Sequence, residues 1–410
     1  MSNASALVRG VDLHELCQEY GTPLYVYDAD VVRSQLESLR AAFGALEPKV
    51  LFAAKALSTF GVLQLVRSMG TGLDAVSIEE VRLGLRAGFL PADVLFTPSC
   101  VAFEEIEEAV QRGVGVTIES LSALERFARA FGDSVPCALR LHPRVRHEGP
   151  TGEALEAWHH DSKFGIDDSL LSHALGIIAR RGVRVHGLHV HTISHAQSVE
   201  GWLAVAEAVF DKAERFRDLE RLDFGGGFAP AGFGSDAPLD VADLGRRFAA
   251  AFTDFREAYG RRLALWLEPG RWLVAGAGTL LTRVQVVKSN GSAELAGVDS
   301  GFHHFVRPRL YGAAHAISNL SNPGGPPRRY DVVGQLCEPD AFASGCTLPE
   351  VREGDLLAIH DAGAYGSSMA SNYNSRPRPA EVLVRDGAAL PIRRRESLED
   401  LLATQIALEL

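Results

Sequence analysis

Val94-Leu-Phe96, Phe103-Glu-Glu-Ile-Glu-Glu-Ala-Val-Gln-Arg112, Gly115-Val-Thr-Ile118 and Leu121-Ser-Ala-Leu-Glu-Arg-Phe-Ala-Arg-Ala-Phe131 follow one another with only short breaks. The first and third are short apolar runs of strand length. The second and fourth place apolar residues three and four apart, the period of a helix with one buried face. A strand followed by a helix and another strand pairs in parallel, so repeats of this unit build a parallel sheet. The same rhythm runs outward from Lys49 to about Gly270. Candidate strands begin at Val50, Leu73, Val94, Gly115, Cys137, Val183, Leu222 and Leu263, and Val199–Phe216 is a further helix. Eight such strands favour a closed (β/α)8 barrel of the TIM type over an open sheet. Ser77-Ile-Glu-Glu80 reads as a capping box at the start of one helix.

After Arg271 the pattern changes. Thr279–Lys288, Glu294–Asp299, Tyr330–Val333, Asp355–His360 and Glu381–Arg385 read as strands with turns between them and almost no helix. This predicts a second, all-β domain, a β-barrel or β-sandwich. Leu24–Tyr27, a β-like run ahead of the first helix, is a candidate to join it. The expected division is 28–272 for the barrel, and 1–27 with 273–410 for the β domain. Asn322-Pro-Gly-Gly-Pro-Pro327 is expected to be an exposed loop.

The 410 residues, 46% of them hydrophobic, are ample for two cores. The net charge of −11 and pI near 5.7 come from scattered charges. Nucleic acid and anionic membranes attract clustered Lys and Arg, so both are excluded as expected partners. Met1 to Gly10 lacks the features of a signal peptide, and the longest apolar run, Leu263 to Val287, is broken by Glu268 and Arg271. Cys17, Cys100, Cys137, Cys337 and Cys346 form no CxxC pair. They point to a reduced cytosol rather than a disulfide framework or a zinc site.

Active groups of such a barrel sit at the C-terminal ends of its strands. Lys55 ends the first, Val50-Leu-Phe-Ala-Ala-Lys55. An amine in a low-dielectric barrel mouth would have its pKa lowered and could form a Schiff base; otherwise it is a lysine reaching solvent. Gly225-Gly226-Gly227 can turn backbone N–H groups toward a phosphate, or simply turn the chain. Glu268-Pro-Gly-Arg271 closes the last strand with a carboxylate suited to a protonated pyridine nitrogen, or to a surface ion pair. His189 and His191 share one face of a strand. No third metal ligand of matching type stands nearby in sequence, so no metal is expected. A stacking imidazole is the functional reading for the pair, and a hydrogen-bonded core histidine is the alternative for His189. Cys337-Glu338 places a thiol beside an acid as a proton donor, although most such cysteines are small core residues. Arg307-Pro-Arg-Leu-Tyr311 and Gly363-Ala-Tyr-Gly366 supply the guanidinium and phenol groups of an anion pocket.

Taken together these stretches resemble one family. They are Phe52–Ala56, Ser162-Lys-Phe-Gly-Ile166, His189-Val-His191, Gly225–Phe228, Glu268–Arg271, Val298–Phe302 with Arg307–Tyr311, Cys337-Glu338 and the long run Gly363–Val384. In this order the chain resembles the fold-type III, alanine racemase-like pyridoxal-phosphate decarboxylases, and within them diaminopimelate decarboxylase. The resemblance implies pyridoxal 5'-phosphate held by Lys55, with His191 on the ring face and Glu268 at the ring nitrogen. Gly225, Gly226, Gly227, Gly270, Ser194 and Tyr365 would serve the phosphate. Arg271, Arg307 and Tyr311 would take the substrate's distal carboxylate, with Tyr365 alongside. Glu338 would take its distal ammonium and Cys337 would protonate the carbanion. It also implies a homodimer, because in the family Cys337 and Glu338 enter the partner's site. Two departures stand out: Ile193 where the family has glycine, and Pro339-Asp340-Ala-Phe342 where it has Ser-Gly-Asp. The rival expectations are a decarboxylase for another diamino acid or a carrier-bound amino acid, a racemase, and a non-catalytic relative.

Overall fold

The computed structural model describes residues 6–145, 162–191, 198–230, 239–291 and 293–408. The chain divides into two compact units. One comprises Ser34–Ala229 and Ala237–Trp272; the other consists chiefly of Met1–Arg33 and Leu273–Leu410.

In the first unit, eight parallel strands close into a barrel. They are Lys49–Ala53, Gly72–Ala75, Val94–Phe96, Gly115–Ile118, Cys137–His142, Val185–His189, Arg221–Asp223 and Ala264–Leu267. Each pairs with the next, and the last closes on the first through Trp266 opposite Lys49. The sixth strand starts at Val185 rather than Val183. Val50, Leu51, Phe52, Leu73, Leu95, Val116, Leu139 and Leu188 are buried, which is why these runs read as apolar rather than alternating. Helices Phe103–Gln111, Leu121–Phe131 and Val199–Ala213 follow their strands. Polar residues also interrupt the apolar strands: Asp74, Arg140, His142, His189 and Asp223 are all buried.

The capping box at Ser77 forms only in part. Ser77 accepts from the Glu80 N–H, as expected, but the Glu80 carboxylate accepts from Val76 N–H at 2.8 Å instead of from Ser77. The helix has its cap, and the acid is drawn one residue further back.

The second unit is a nine-stranded sheet. Leu24–Asp28 lies between Gly278–Asn290, to which it runs antiparallel, and Ala380–Arg385, to which it runs parallel. A helix, Leu13–Tyr20, precedes this strand, so Leu24–Tyr27 does not come ahead of the first helix. Ile317–Asn319, Ala341–Pro349 and Ala388–Arg393 are further strands, partly exposed, short or interrupted by Gly and Pro, which the sequence reading did not single out. Leu16, Leu24, Val26, Leu281, Leu356 and Val382 form part of its apolar core. Residues 322–326 are loop, as expected, and Pro327 opens a strand. Among the described residues no helix is long and apolar enough to cross a membrane.

Candidate active site

Each barrel strand delivers a polar group at or just beyond its C-terminal end. After Ala53 the chain makes a 3-10 turn, Ala54–Ala56, and Lys55 stands on it. Its Nζ lies 3.7 Å from Oδ2 of Asp74, whose side chain is fully buried, while the lysine side chain is 32% exposed. Asp74 is held in turn by the Thr97 hydroxyl. Gly270 packs against this turn: a Cβ there would fall 2.9 Å from that of Ala56 and 3.0 Å from that of Ala53. Lys55 therefore sits on a turn with a fixed wall behind it, unlike a lysine free to reach solvent.

Buried acids and a buried histidine are grouped near it. His189, Asp223 and Glu268 bring one ligand-type atom each within 4.8 Å of one another, all buried. Asp223 and Glu268, from other strands, thus join His189 in this group, which does not include His191. His189 Nε2 lies 3.1 Å from Glu268 Oε2. Burial lowers His189 to about 4, so its ring is neutral at physiological pH. Burial, reinforced by Asp74, raises Glu268 above the usual carboxylate range. Burial and the neighbouring Glu268 do the same to Asp223. Arg140, 7% exposed, lies 3.9 Å from Glu119, with its guanidinium 4.5 Å from the Phe164 ring centroid. Oε1 of Glu268 and Oδ2 of Asp223 are buried without a hydrogen-bond donor from the rest of the described chain, and the two carboxyls lie close enough to share a proton. An orphaned buried carboxyl oxygen is costly, by roughly 1–3 kcal/mol, and a donor brought by a bound group would relieve it.

The glycine turn is built tightly onto the same region. Gly225 has φ 64 and Gly227 φ 91. A Cβ on Gly225 would lie 2.5 Å from His191 Nδ1, and one on Gly226 would lie 2.4 Å from the Glu268 carbonyl oxygen. Gly225 N–H donates to Asp223 at 2.9 Å and Gly226 N–H to His191 Nδ1 at 3.1 Å. His191 accordingly carries its proton on Nε2 when neutral. Phe224 and Phe228, flanking the glycines, are both buried against Trp202, with ring centroids 5.8 and 5.2 Å away. The turn is pinned at both ends. Arg271, half-buried, begins the short helix Arg271–Val274. Ser194 and Ile193 lie outside the described residues.

In the β unit, Arg307, Tyr311 and Tyr365 come together. The Arg307 guanidinium is 5.4 Å from the Tyr311 ring and 6.0 Å from the Tyr365 ring. Arg307 is 4% exposed and Tyr311 60%. Tyr365 is held at φ 56, a conformation that non-glycine residues rarely adopt. Cys337 is exposed, so it is not the small core residue that its type suggests; Cys17 and Cys137 are, and burial pushes both thiols up to about 12. Tyr373 O–H donates to Glu338 at 3.1 Å, and its oxygen lies 3.7 Å from the Cys337 sulfur. Asp340, in the stretch that departs from the family's pattern, is anchored. The buried Asp340 carboxylate accepts from Phe302 N–H at 2.8 Å and from Leu336 N–H at 3.4 Å, and so ties down the loop that carries Cys337.

Sequence reading missed Asp74, Asp223 and Arg140. Their signal was a single charge inside an otherwise apolar strand, which has to be buried and therefore partnered.

A barrel-mouth amine, a buried acid with an orphaned oxygen and a glycine turn beside a histidine make up the donor set for a phosphorylated pyridine aldehyde. The class is that of the pyridoxal-dependent decarboxylases: the family model described as "Pyridoxal-dependent decarboxylase, pyridoxal binding domain" matches residues 29–275. The chain is 36% identical to a diaminopimelate decarboxylase of Methanothermobacter thermautotrophicus, over 97% of this chain and 95% of that one. A crystal structure of a diaminopimelate decarboxylase superposes with a TM-score of 0.89 at 33% identity, covering 98% of each chain. The diaminopimelate decarboxylase of Helicobacter pylori, complexed with L-lysine, gives 0.85 at 31% identity, covering 96% of this chain and 98% of that one. The chain belongs to the diaminopimelate decarboxylase family, which makes it a pyridoxal-phosphate-dependent carboxy-lyase.

Proposed function

We propose that the protein decarboxylates meso-2,6-diaminopimelate to L-lysine and carbon dioxide. The observation that carries this reading is the buried Glu268 carboxyl, with Oε1 lacking a donor, at the barrel mouth that also holds Lys55. Pyridoxal phosphate, when bound, supplies an electron sink for the pair left behind by the departing carboxylate. Lys55 would hold its aldehyde carbon, Glu268 its ring nitrogen and His191 its ring face. Gly225, Gly226, Gly227, Gly270, Arg271, Ser194 and Tyr365 would hold its phosphate end.

The chain's own residues then select and protonate. Arg307, Tyr311 and Arg271, with Tyr365, take the distal carboxylate, and Glu338 takes the distal ammonium. Lysine and ornithine lack the distal carboxylate. Binding them would leave buried guanidinium donors without their anion, at a cost of several kcal/mol. Cys337 returns a proton to the α-carbon. Glu268 favours a cationic ring and Cys337 is a one-sided acid, which suits decarboxylation better than racemisation. The same residues suit a homodimer with shared active sites. The acidic, scattered charge and the reduced cysteines suit a cytoplasmic protein without nucleic acid or membrane partners.

The test is carbon dioxide release by cofactor-loaded protein from meso-diaminopimelate beside its other stereoisomers, lysine and ornithine. Turnover of the meso isomer alone is expected. Preferred turnover of a diamino acid without the second head would overturn the substrate assignment.

A further inference from the structure

Ser371-Asn-Tyr-Asn-Ser-Arg-Pro377 is the part of the long C-terminal motif that the proposed chemistry leaves without a task. It is also where the backbone is least ordinary. Asn374 (φ 56, ψ 28) and Ser375 (φ 54) are consecutive non-glycine residues in the left-handed region. Asparagine tolerates this conformation best of the larger residues.

The turn presents the Asn374 carboxamide to Cys337. Its Oδ1 lies 3.4 Å from the Cys337 backbone nitrogen and 3.5 Å from the sulfur, and its Nδ2 lies 3.3 Å from the same sulfur. Tyr373, stacked on Phe302 with ring centroids 5.8 Å apart, adds its hydroxyl at 3.7 Å. Although Cys337 is exposed, its thiol is held between a carboxamide and a phenol. A carboxamide can meet both states of a thiol, since Oδ1 accepts from S–H and the Nδ2 N–H donates to a thiolate.

We propose that Asn374 is a positioning residue for Cys337, clamping its backbone and aiming its thiol in whichever protonation state it holds. This rests on the reading of Cys337 as the proton donor. The hydrogen bonds from Asn374 and Tyr373 lower the thiol pKa, while the Glu338 charge opposes them. Among the described residues Tyr373 touches the sulfur, and Glu338, hydrogen-bonded to Tyr373, acts on it through its charge.

The experiment follows iodoacetamide alkylation of Cys337 in the substrate-free holoenzyme, from neutral to alkaline pH, resolved by peptide mass spectrometry. Asn374→Asp replaces the N–H donor by a carboxylate. It should raise the alkylation midpoint by about one unit, slowing the reaction about tenfold at neutral pH. Asn374→Gly keeps the left-handed backbone, deletes the carboxamide and should shift the midpoint in the same direction. The cofactor's absorbance should be unchanged in both. Wild-type alkylation profiles in the two variants would overturn the clamp alone. Full decarboxylation by Cys337→Ala would overturn both the clamp's catalytic purpose and the proton-donor reading.

Discussion

Glu268 is held by His189 through one oxygen and keeps the other buried and unmatched. Glu268→Gln preserves the shape and removes the anion. It should lower decarboxylation by about a hundredfold or more while cofactor absorbance persists; undiminished turnover would mean the carboxyl is structural. Lys55→Ala should abolish the Schiff-base absorbance band, because no other amine stands on the 54–56 turn; a persisting band would refute the anchor. Cys337→Ala should slow product formation by about 10²–10⁴ with little change in cofactor affinity, whereas equal loss of both would make the cysteine a packing residue. Lys55 and Glu268 were legible in the sequence as candidates, since each stands just beyond the end of an apolar strand, and Cys337 as a thiol beside an acid. Asp74 and Asp223 were not. Lys55 and Thr97, which make the burial of Asp74 tolerable, come from other strands, and Asp223 is held by the Gly225 N–H while His189 and Glu268 approach it from other strands.

At the scale of elements, the helix Ile78–Arg86 carries Glu80 back toward the barrel, where burial raises its pKa to about 7. An acid raised in the folded state binds its proton more tightly there than when unfolded. Its contribution to stability is therefore fully present below about pH 4.5 and lost as pH rises to about 7. Glu80→Gln should flatten that decline, which is about 3 kcal/mol, as read from melting temperature against pH. An equally steep decline in the variant would show that Glu80 does not cause it. The turn Gly225–Gly227 invites a second test. Gly225→Ala puts a Cβ at a positive φ and 2.5 Å from His191. A loss of about 2–4 kcal/mol is expected from backbone and overpacking costs combined, with weakened cofactor binding; chemical denaturation and cofactor titration measure both. The glycine triplet announced a turn by composition alone. That its ends are pinned by Phe224 and Phe228 against Trp202 followed from packing that no local pattern carries.

For the whole molecule, the proposed homodimer makes a prediction that neither residue nor element can. Lys55→Ala and Cys337→Ala proteins, each inactive alone, should regain roughly a quarter of wild-type activity when mixed and allowed to exchange subunits. Mixtures that stay inactive despite exchange would place Lys55 and Cys337 of each site on one chain. The sequence by itself determined the eight-stranded repeat, the change to β structure after Arg271 and the candidates for the reactive residues. These depend on local periodicity and side-chain chemistry, which are written in order along the chain. Only the tertiary structure decided that His189, Asp223 and Glu268 meet, that Asp74 faces Lys55, that Leu24–Asp28 lies between Gly278–Asn290 and Ala380–Arg385, and that Asn374 grips Cys337. Those meetings join residues far apart in the chain. They follow from barrel closure, sheet pairing and the need of buried polar atoms for partners, none of which has a local signature.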